Sequence, residues 1–61
     1  MTNHQKEKLI ESAERKLESL LSLEKQVEIH TRNSDKLARR KKLLHEAQGC
    51  MIWLIEDLVN D

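Results

Sequence analysis

An apolar side chain recurs every seven residues along the second half of the chain, at Leu37, Leu44, Met51 and Leu58. Residues seven apart lie on one face of an α-helix, so this spacing predicts a helix that packs lengthwise against another helix. Arg40, Ala47 and Leu54 fall at the second core position of the same repeat. The 61 residues include no proline and one glycine, which is the composition of long helices.

The first half of the chain has a similar periodicity. Thr2 and Gln5 fit a capping box, in which each side chain bonds the backbone amide of the other at the start of a helix. Apolar residues then recur at helical spacing, at Ile10, Ala13, Leu17, Leu20 and Val27, with Leu9, Leu21 and Leu23 beside them. The pattern predicts a first helix over about residues 3–31.

The one turn-like cluster is Asn33, Ser34 and Asp35. Asn33 tolerates the left-handed conformation that ends a helix. Ser34 or Asp35 can accept a hydrogen bond from the free amides of the next helix. We therefore expect a turn over about residues 32–35 and a second helix over about 36–59. A short turn between two long helices gives an antiparallel helical hairpin, so the predicted fold is all-α, with a single domain over residues 1–61.

The charges of the chain cancel, with 11 cations and 11 anions, and their order favours antiparallel pairing. Basic residues begin the second helix and acidic residues end it, although the helix macrodipole disfavours both placements. In a hairpin, Glu24 and Glu28 are expected beside the basic residues, and Lys6 and Lys8 beside the acidic end. Glu24 and Arg40 both occupy core positions, so we expect them to form a half-buried ion pair that disfavours wrong registers.

The segment 49–59 carries more apolar residues than one helical seam can cover, since eight of its eleven residues are apolar. Five of them lie outside the seven-residue repeat, at Cys50, Ile52, Trp53, Ile55 and Val59. Two kinds of molecule could cover these five residues. A second copy could complete a four-helix bundle, or these residues could bind a different protein, with Trp53 as the energetic hot spot. Close approach of a neighbouring helix would explain Gly49, and a tolerated small residue is the other explanation.

The sequence offers no cluster suited to catalysis, a cofactor or a metal, so we expect a non-enzymatic protein. His4, His30 and His45 have no metal-ligand spacing, and Cys50 has no base arranged beside it. No run of about 20 apolar residues could span a bilayer, and the sequence begins without a signal-peptide pattern. With its single cysteine, the chain is predicted to be cytoplasmic and not inserted in a membrane.

Four consecutive basic side chains could contact phosphates, at Arg39, Arg40, Lys41 and Lys42. No aromatic residue is interleaved with them, so base stacking is not offered, and we favour a solvated face paired with glutamates. A homodimeric four-helix-bundle regulator that touches RNA through these four residues is the alternative function.

The second half of the chain resembles a known family. The residues after the turn, 34–37, and the segment 44–58, in which a small-residue step precedes an apolar run, are similar to the small co-chaperones of the type III secretion needle subunit. The resemblance implies a cytoplasmic heterodimer with a tetratricopeptide-like chaperone, which holds the needle subunit as a soluble monomer before export. We therefore expect a small adaptor or co-chaperone that binds a partner protein through the apolar face of the second helix.

In length, and in the opening Met1 and Thr2, the chain also resembles the plasmid copy-number RNA-binding hairpins that dimerise into four-helix bundles. The binding face of those hairpins lies on the first helix and includes an aromatic residue, which the first helix here lacks. This second resemblance therefore implies the fold alone.

Overall fold

The computed structural model describes residues 2–61 as two α-helices joined by three residues. Helix α1 spans Asn3–His30 and helix α2 spans Ser34–Val59. The Cα atoms extend over 47 × 15 × 9 Å, the dimensions of two rods lying side by side. The predicted all-α helical hairpin is confirmed, and the described part of the chain contains no strand.

Helix α1 begins at the predicted capping box. The Gln5 amide donates to Oγ1 of Thr2 at 3.2 Å, and the Thr2 amide donates to Oε1 of Gln5 at the same distance. The helix ends at His30 because Thr31 is extended, with φ −106° and ψ 112°. The Thr31 amide still donates to the Val27 carbonyl at 2.9 Å, so the last turn of α1 is closed.

The start of α2 corrects the predicted turn. Asn33 is extended, with φ −79° and ψ 121°, and no non-glycine residue in the described range has a positive φ. The Asn33 side-chain oxygen accepts from the amides of Asp35 and Lys36, both at 3.0 Å. Asn33 is therefore the N-cap, and Ser34 and Asp35 already belong to the first turn. For this reason α2 begins at Ser34, two residues earlier than predicted.

Polar contacts at both ends join the two helices in antiparallel register. Near the termini, Nζ of Lys6 donates to the backbone carbonyl of Asp61 at 2.9 Å. Near the link, Nζ of Lys41 lies 3.1 Å from Oε1 of Glu28. These contacts confirm that Glu28 lies beside the basic start of α2 and that Lys6 lies beside its acidic end.

The seam between the helices follows the predicted repeat on α2. Its four members are half-buried, namely Leu37, Leu44, Met51 and Leu58. The facing apolar residues of α1 are half-buried, namely Ile10, Leu17, Leu20 and Val27, and Ala13 between them is buried. Ala13 is the one buried apolar residue of the described range, and no large side chain there is fully buried. A hairpin by itself therefore has a thin core.

The second core position on α2 differs from the prediction. Arg40 is exposed and Leu54 is 46% exposed, although Ala47 is half-buried as expected. The residues one place later in the repeat are half-buried instead, namely Lys41, Gln48 and Ile55. The α2 side chains that bond Glu24 and Glu28 of α1 lie on this side of the helix. These polar contacts bring the later row towards the seam and leave Leu54 at its edge.

The predicted Glu24–Arg40 ion pair is wrong. Oε1 of Glu24 lies 2.7 Å from Nε2 of His45 and accepts from Nε2 of Gln48 at 3.3 Å. Nη1 of Arg40 donates instead to Oγ1 of the buried Thr31 at 2.7 Å. Arg40 bonds to the end of α1 because its neighbour Lys41 pairs with Glu28, which puts Arg40 at the level of the last turn of α1. Glu24 lies more than one turn away, at the level of His45.

Candidate protein-docking surface

Trp53 is the most exposed large apolar side chain of the described residues, at 78%. Ile52 precedes it in the chain, and Val59 lies two turns after Ile52. Both are among the exposed large apolar residues. Trp53 lies about 200° around α2 from Met51, which is in the seam, so it points away from α1. We call the exposed side of α2 that carries these residues and Cys50 the outer surface.

The sequence-predicted docking residues do not all lie on this outer surface. Cys50, Ile52, Trp53 and Val59 are exposed, and Cys50 is a free thiol. Ile55 is half-buried in the seam, so α1 covers part of it. Ile52 and Val59 flank Trp53 on one side of α2, and Cys50 flanks it on the other, because each residue adds about 100° of rotation. The exposed residues of the outer surface are therefore centred on Trp53.

Gly49 opens a shallow depression beside the indole. The depression is lined by Glu46, Gly49, Cys50 and Trp53. A Cβ placed on Gly49 would meet no atom within 4 Å. Packing against α1 therefore does not require glycine at this position. Close approach of a second molecule and a tolerated small residue stay the two explanations of Gly49.

A second apolar surface, which the sequence reasoning missed, runs between the two helices on one broad face of the hairpin. We call it the interhelical groove. Its apolar lining comes from both helices, at Leu9, Ala13, Leu20, Leu23, Met51, Leu54 and Leu58. Three polar residues border it, at Ser12, Lys16 and Ser19. The sequence shows that Leu9 and Leu23 are apolar residues outside the core positions of α1, which could have indicated a further apolar surface. Only the rotation of the two helices in the structure shows that they share a face with Leu54.

The basic residues at the start of α2 are only partly available. Arg40 is bonded to Thr31, and Lys41 is paired with Glu28. Arg39 and Lys42 are exposed and have no ion-pair partner among residues 2–61. Two of the four side chains expected to meet phosphates therefore serve the contact between the helices.

The remaining titratable side chains are dispersed. His4 and His30 are exposed, and His45 contacts Glu24 across the seam. No group of three histidine, cysteine, aspartate or glutamate residues within the described range is arranged to hold a metal ion. Neither helix has an apolar stretch long enough for a membrane crossing within residues 2–61.

Comparison of the chain with protein-family models, with curated proteins and with solved structures gives no match. The exposed apolar surfaces therefore supply the basis for a functional interpretation.

Proposed function

We propose that this protein is a small, non-enzymatic helical adaptor that binds a partner protein through the outer surface of α2. The observation that carries the proposal is the 78% exposure of Trp53 beside the exposed Ile52 and Val59. Tryptophan is enriched among the residues that dominate binding energy at protein interfaces. A large apolar side chain held in water by a rigid helix loses little conformational entropy when a partner covers it.

The mode of binding that fits a helical surface is packing against a helix or groove of the partner. The open depression at Gly49 lets another backbone approach α2 beside the indole. Removal of the Trp53, Ile52 and Val59 surfaces from water provides the driving force, at about 25 cal/mol for each Å² of apolar area buried. Cys50 lies at the edge of the contact and Ile55 contributes its exposed part.

The resemblance of segment 44–58 to the type III secretion co-chaperones supports a specific role for such an adaptor. In that role the partner is a tetratricopeptide-like chaperone in the cytoplasm, and the two proteins together keep an aggregation-prone secreted subunit soluble. A tetratricopeptide repeat array presents grooves between helices, which match an exposed helical surface in shape.

The experiment compares the wild-type chain with Trp53→Ala and with Ile29→Ala as a matched control. Ile29 is 69% exposed on α1 and belongs to neither apolar surface. Proteins from the source cells that are retained by the wild type and by Ile29→Ala, and lost with Trp53→Ala, are identified by mass spectrometry. The purified partner is then titrated by calorimetry.

The proposal predicts that Trp53→Ala weakens binding of that partner by about 2 kcal/mol or more, the size expected of a hot spot. Ile29→Ala leaves the affinity unchanged. Equal affinities for the wild type and Trp53→Ala contradict the assignment of the outer surface as the docking site.

A further inference from the structure

The interhelical groove is an extended apolar surface on a face that the proposed function does not use. Lys16 and Met51 line both of its sections, so the groove runs continuously from Leu9 and Leu58 to Leu23. Leu54, at its edge, is 46% exposed and lies about 200° around α2 from Ile52. The groove and the Ile52 side of the outer surface are therefore separate, and both can be covered at once.

The exposed area of the chain indicates how much surface a second molecule would cover. The hairpin has 5088 Å² of accessible surface. A compact monomer of 7.2 kDa is expected to expose about 4,100 Å². The excess of about 1,000 Å² is close to the roughly 800 Å² that each partner buries in a stable protein interface. One copy of the chain is therefore under-packed by about the area of one interface.

The distribution of charge along the hairpin indicates which kind of molecule can cover the interhelical groove. Residues 21–45, the half nearest the link, carry seven cations and three anions. The other half carries four cations and eight anions. The neutral chain is thus divided into a half of net charge +4 and a half of net charge −4, with histidine taken as neutral. Two such hairpins attract when they lie antiparallel and repel when they lie parallel.

We propose that the groove is covered by a second copy of this chain, packed face to face and antiparallel, with the two-fold axis perpendicular to the helices near Lys16 and Met51. The two hairpins then form a four-helix bundle in which the groove leucines of both copies are the shared core. Each positive half lies against the negative half of the other copy. Lys16 lines the middle of the groove in both copies, so its aliphatic stem is covered and its ammonium group extends along the side of α1 to reach water.

One pair of charges makes the arrangement testable. Arg39 and Asp57 are eighteen residues apart, which is five full turns, so they lie on one line along α2. Asp57 is three residues after Leu54 and therefore borders the groove side. Within one chain these side chains are about 27 Å apart, well beyond the roughly 8 Å over which physiological salt leaves charges coupled. In the antiparallel dimer, Arg39 of each copy faces Asp57 of the other.

The test is sedimentation equilibrium of the full chain over a range of concentrations in physiological salt. The wild type is expected at twice 7.2 kDa. Leu54→Glu is expected to shift the mass to that of one chain, and Ile29→Glu, which adds the same charge outside the groove, is expected to leave the dimer intact. Circular dichroism of each variant reports whether the helices persist.

If Leu54→Glu unfolds, the dimer can still be tested with variants that reverse the charges of Arg39 and Asp57. Arg39→Glu and Asp57→Arg are each expected to weaken the dimer by about tenfold or more, because each places like charges opposite one another twice. The chain that carries both changes is expected to recover the wild-type dissociation constant to within about threefold. Asp57→Arg also improves the interaction with the helix macrodipole, since Asp57 lies in the last turn of α2. Circular dichroism checks that α2 persists in Arg39→Glu.

Three results overturn the proposal. These are a wild-type mass of one chain at every concentration, a double charge variant weaker than both single variants, and a dimer that survives Leu54→Glu but is lost with Trp53→Ala. None of them tests the adaptor function, which depends on partner binding at Trp53. Loss of partner affinity in Trp53→Ala with an intact dimer supports both proposals independently.

Discussion

The Glu24 carboxylate lies 2.7 Å from Nε2 of His45 and joins α1 to α2 within the seam. Gln48 donates to the same oxygen at 3.3 Å, and the Glu24 side chain is only 21% exposed. A polar layer thus interrupts the apolar seam between Leu20 and Val27. Because the acceptor on α1 and its donors on α2 meet at one level, the contact fixes how far one helix can slide along the other.

We expect Glu24→Ala to lower the free energy of unfolding by about 1 kcal/mol, because two cross-helix bonds are lost while the exposed His45 and the half-buried Gln48 can still bond water. Glu24→Leu should be neutral or stabilising, since apolar residues flank the site. Urea denaturation at one fixed protein concentration measures both. The control is Glu11→Ala, which removes an exposed pair with Arg15 on a single helix and should cost about 0.5 kcal/mol or less. Equal losses for the two alanine variants would show that the polar layer adds nothing.

The N-cap of α2 gives a prediction that separates neighbouring residues. Asn33→Ala should cost about 1 kcal/mol, because the side chain satisfies the amides of Asp35 and Lys36 at 3.0 Å. Ser34→Ala should change the stability little, since Ser34 lies inside the first turn and alanine is a good helix former. Thermal or urea unfolding of both variants decides the matter. A larger loss for Ser34→Ala would restore the capping residue expected from the sequence.

Gly49→Ala should stabilise the isolated protein by up to about 1 kcal/mol, because a Cβ there meets nothing within 4 Å and alanine favours the helix. Ala38→Gly, at an exposed position of the same helix, is the matched reverse change and should cost a similar amount. If a partner helix approaches α2 at this point, Gly49→Ala also weakens partner binding. Destabilisation of the isolated protein by Gly49→Ala would mean that the position is more crowded than the structure indicates.

The RNA-binding alternative predicts a different behaviour. Since Arg40 and Lys41 are engaged within the hairpin, and the chain carries no net charge, we expect no binding to a single-stranded RNA at physiological salt. Fluorescence anisotropy of a labelled oligonucleotide measures it as the salt concentration rises. The informative variant carries Arg39→Glu and Lys42→Glu together. Affinity that persists in salt and disappears in this variant would favour the regulator over the adaptor.

The periodicity of the sequence was sufficient to predict the helices. The spacing of residues such as Leu37 and Met51 is enough to place them on the side of α2 that packs against α1. The capping box was also predictable, because its two residues, Thr2 and Gln5, are only three positions apart in the sequence. The partners of Glu24 were not predictable in the same way. A seven-residue repeat places a side chain on a face to within about one residue, and long polar side chains reach either flank of that face. The half-buried Lys41 and the exposed Arg40 differ by this one step.

The candidate surfaces were predictable in part for the same physical reason. Trp53 could be placed outside the seam from its position on one helix. The interhelical groove needs the rotation of both helices, because Leu23 of α1 and Leu54 of α2 belong to one surface only in a particular packing. The apolar residues can be identified from the sequence, but the sequence does not indicate which residues of α1 lie beside which residues of α2.

The measurement that tests the central claim most directly is iodide quenching of Trp53 fluorescence, since this is the single tryptophan of the chain. It is made on the purified protein at a concentration where its mass in solution is known. We predict emission typical of an indole in water and ready quenching by iodide in the monomer, because α1 does not cover Trp53. Blue-shifted emission that iodide does not quench would show that the protein already covers Trp53 by itself, and no docking surface for a partner would remain.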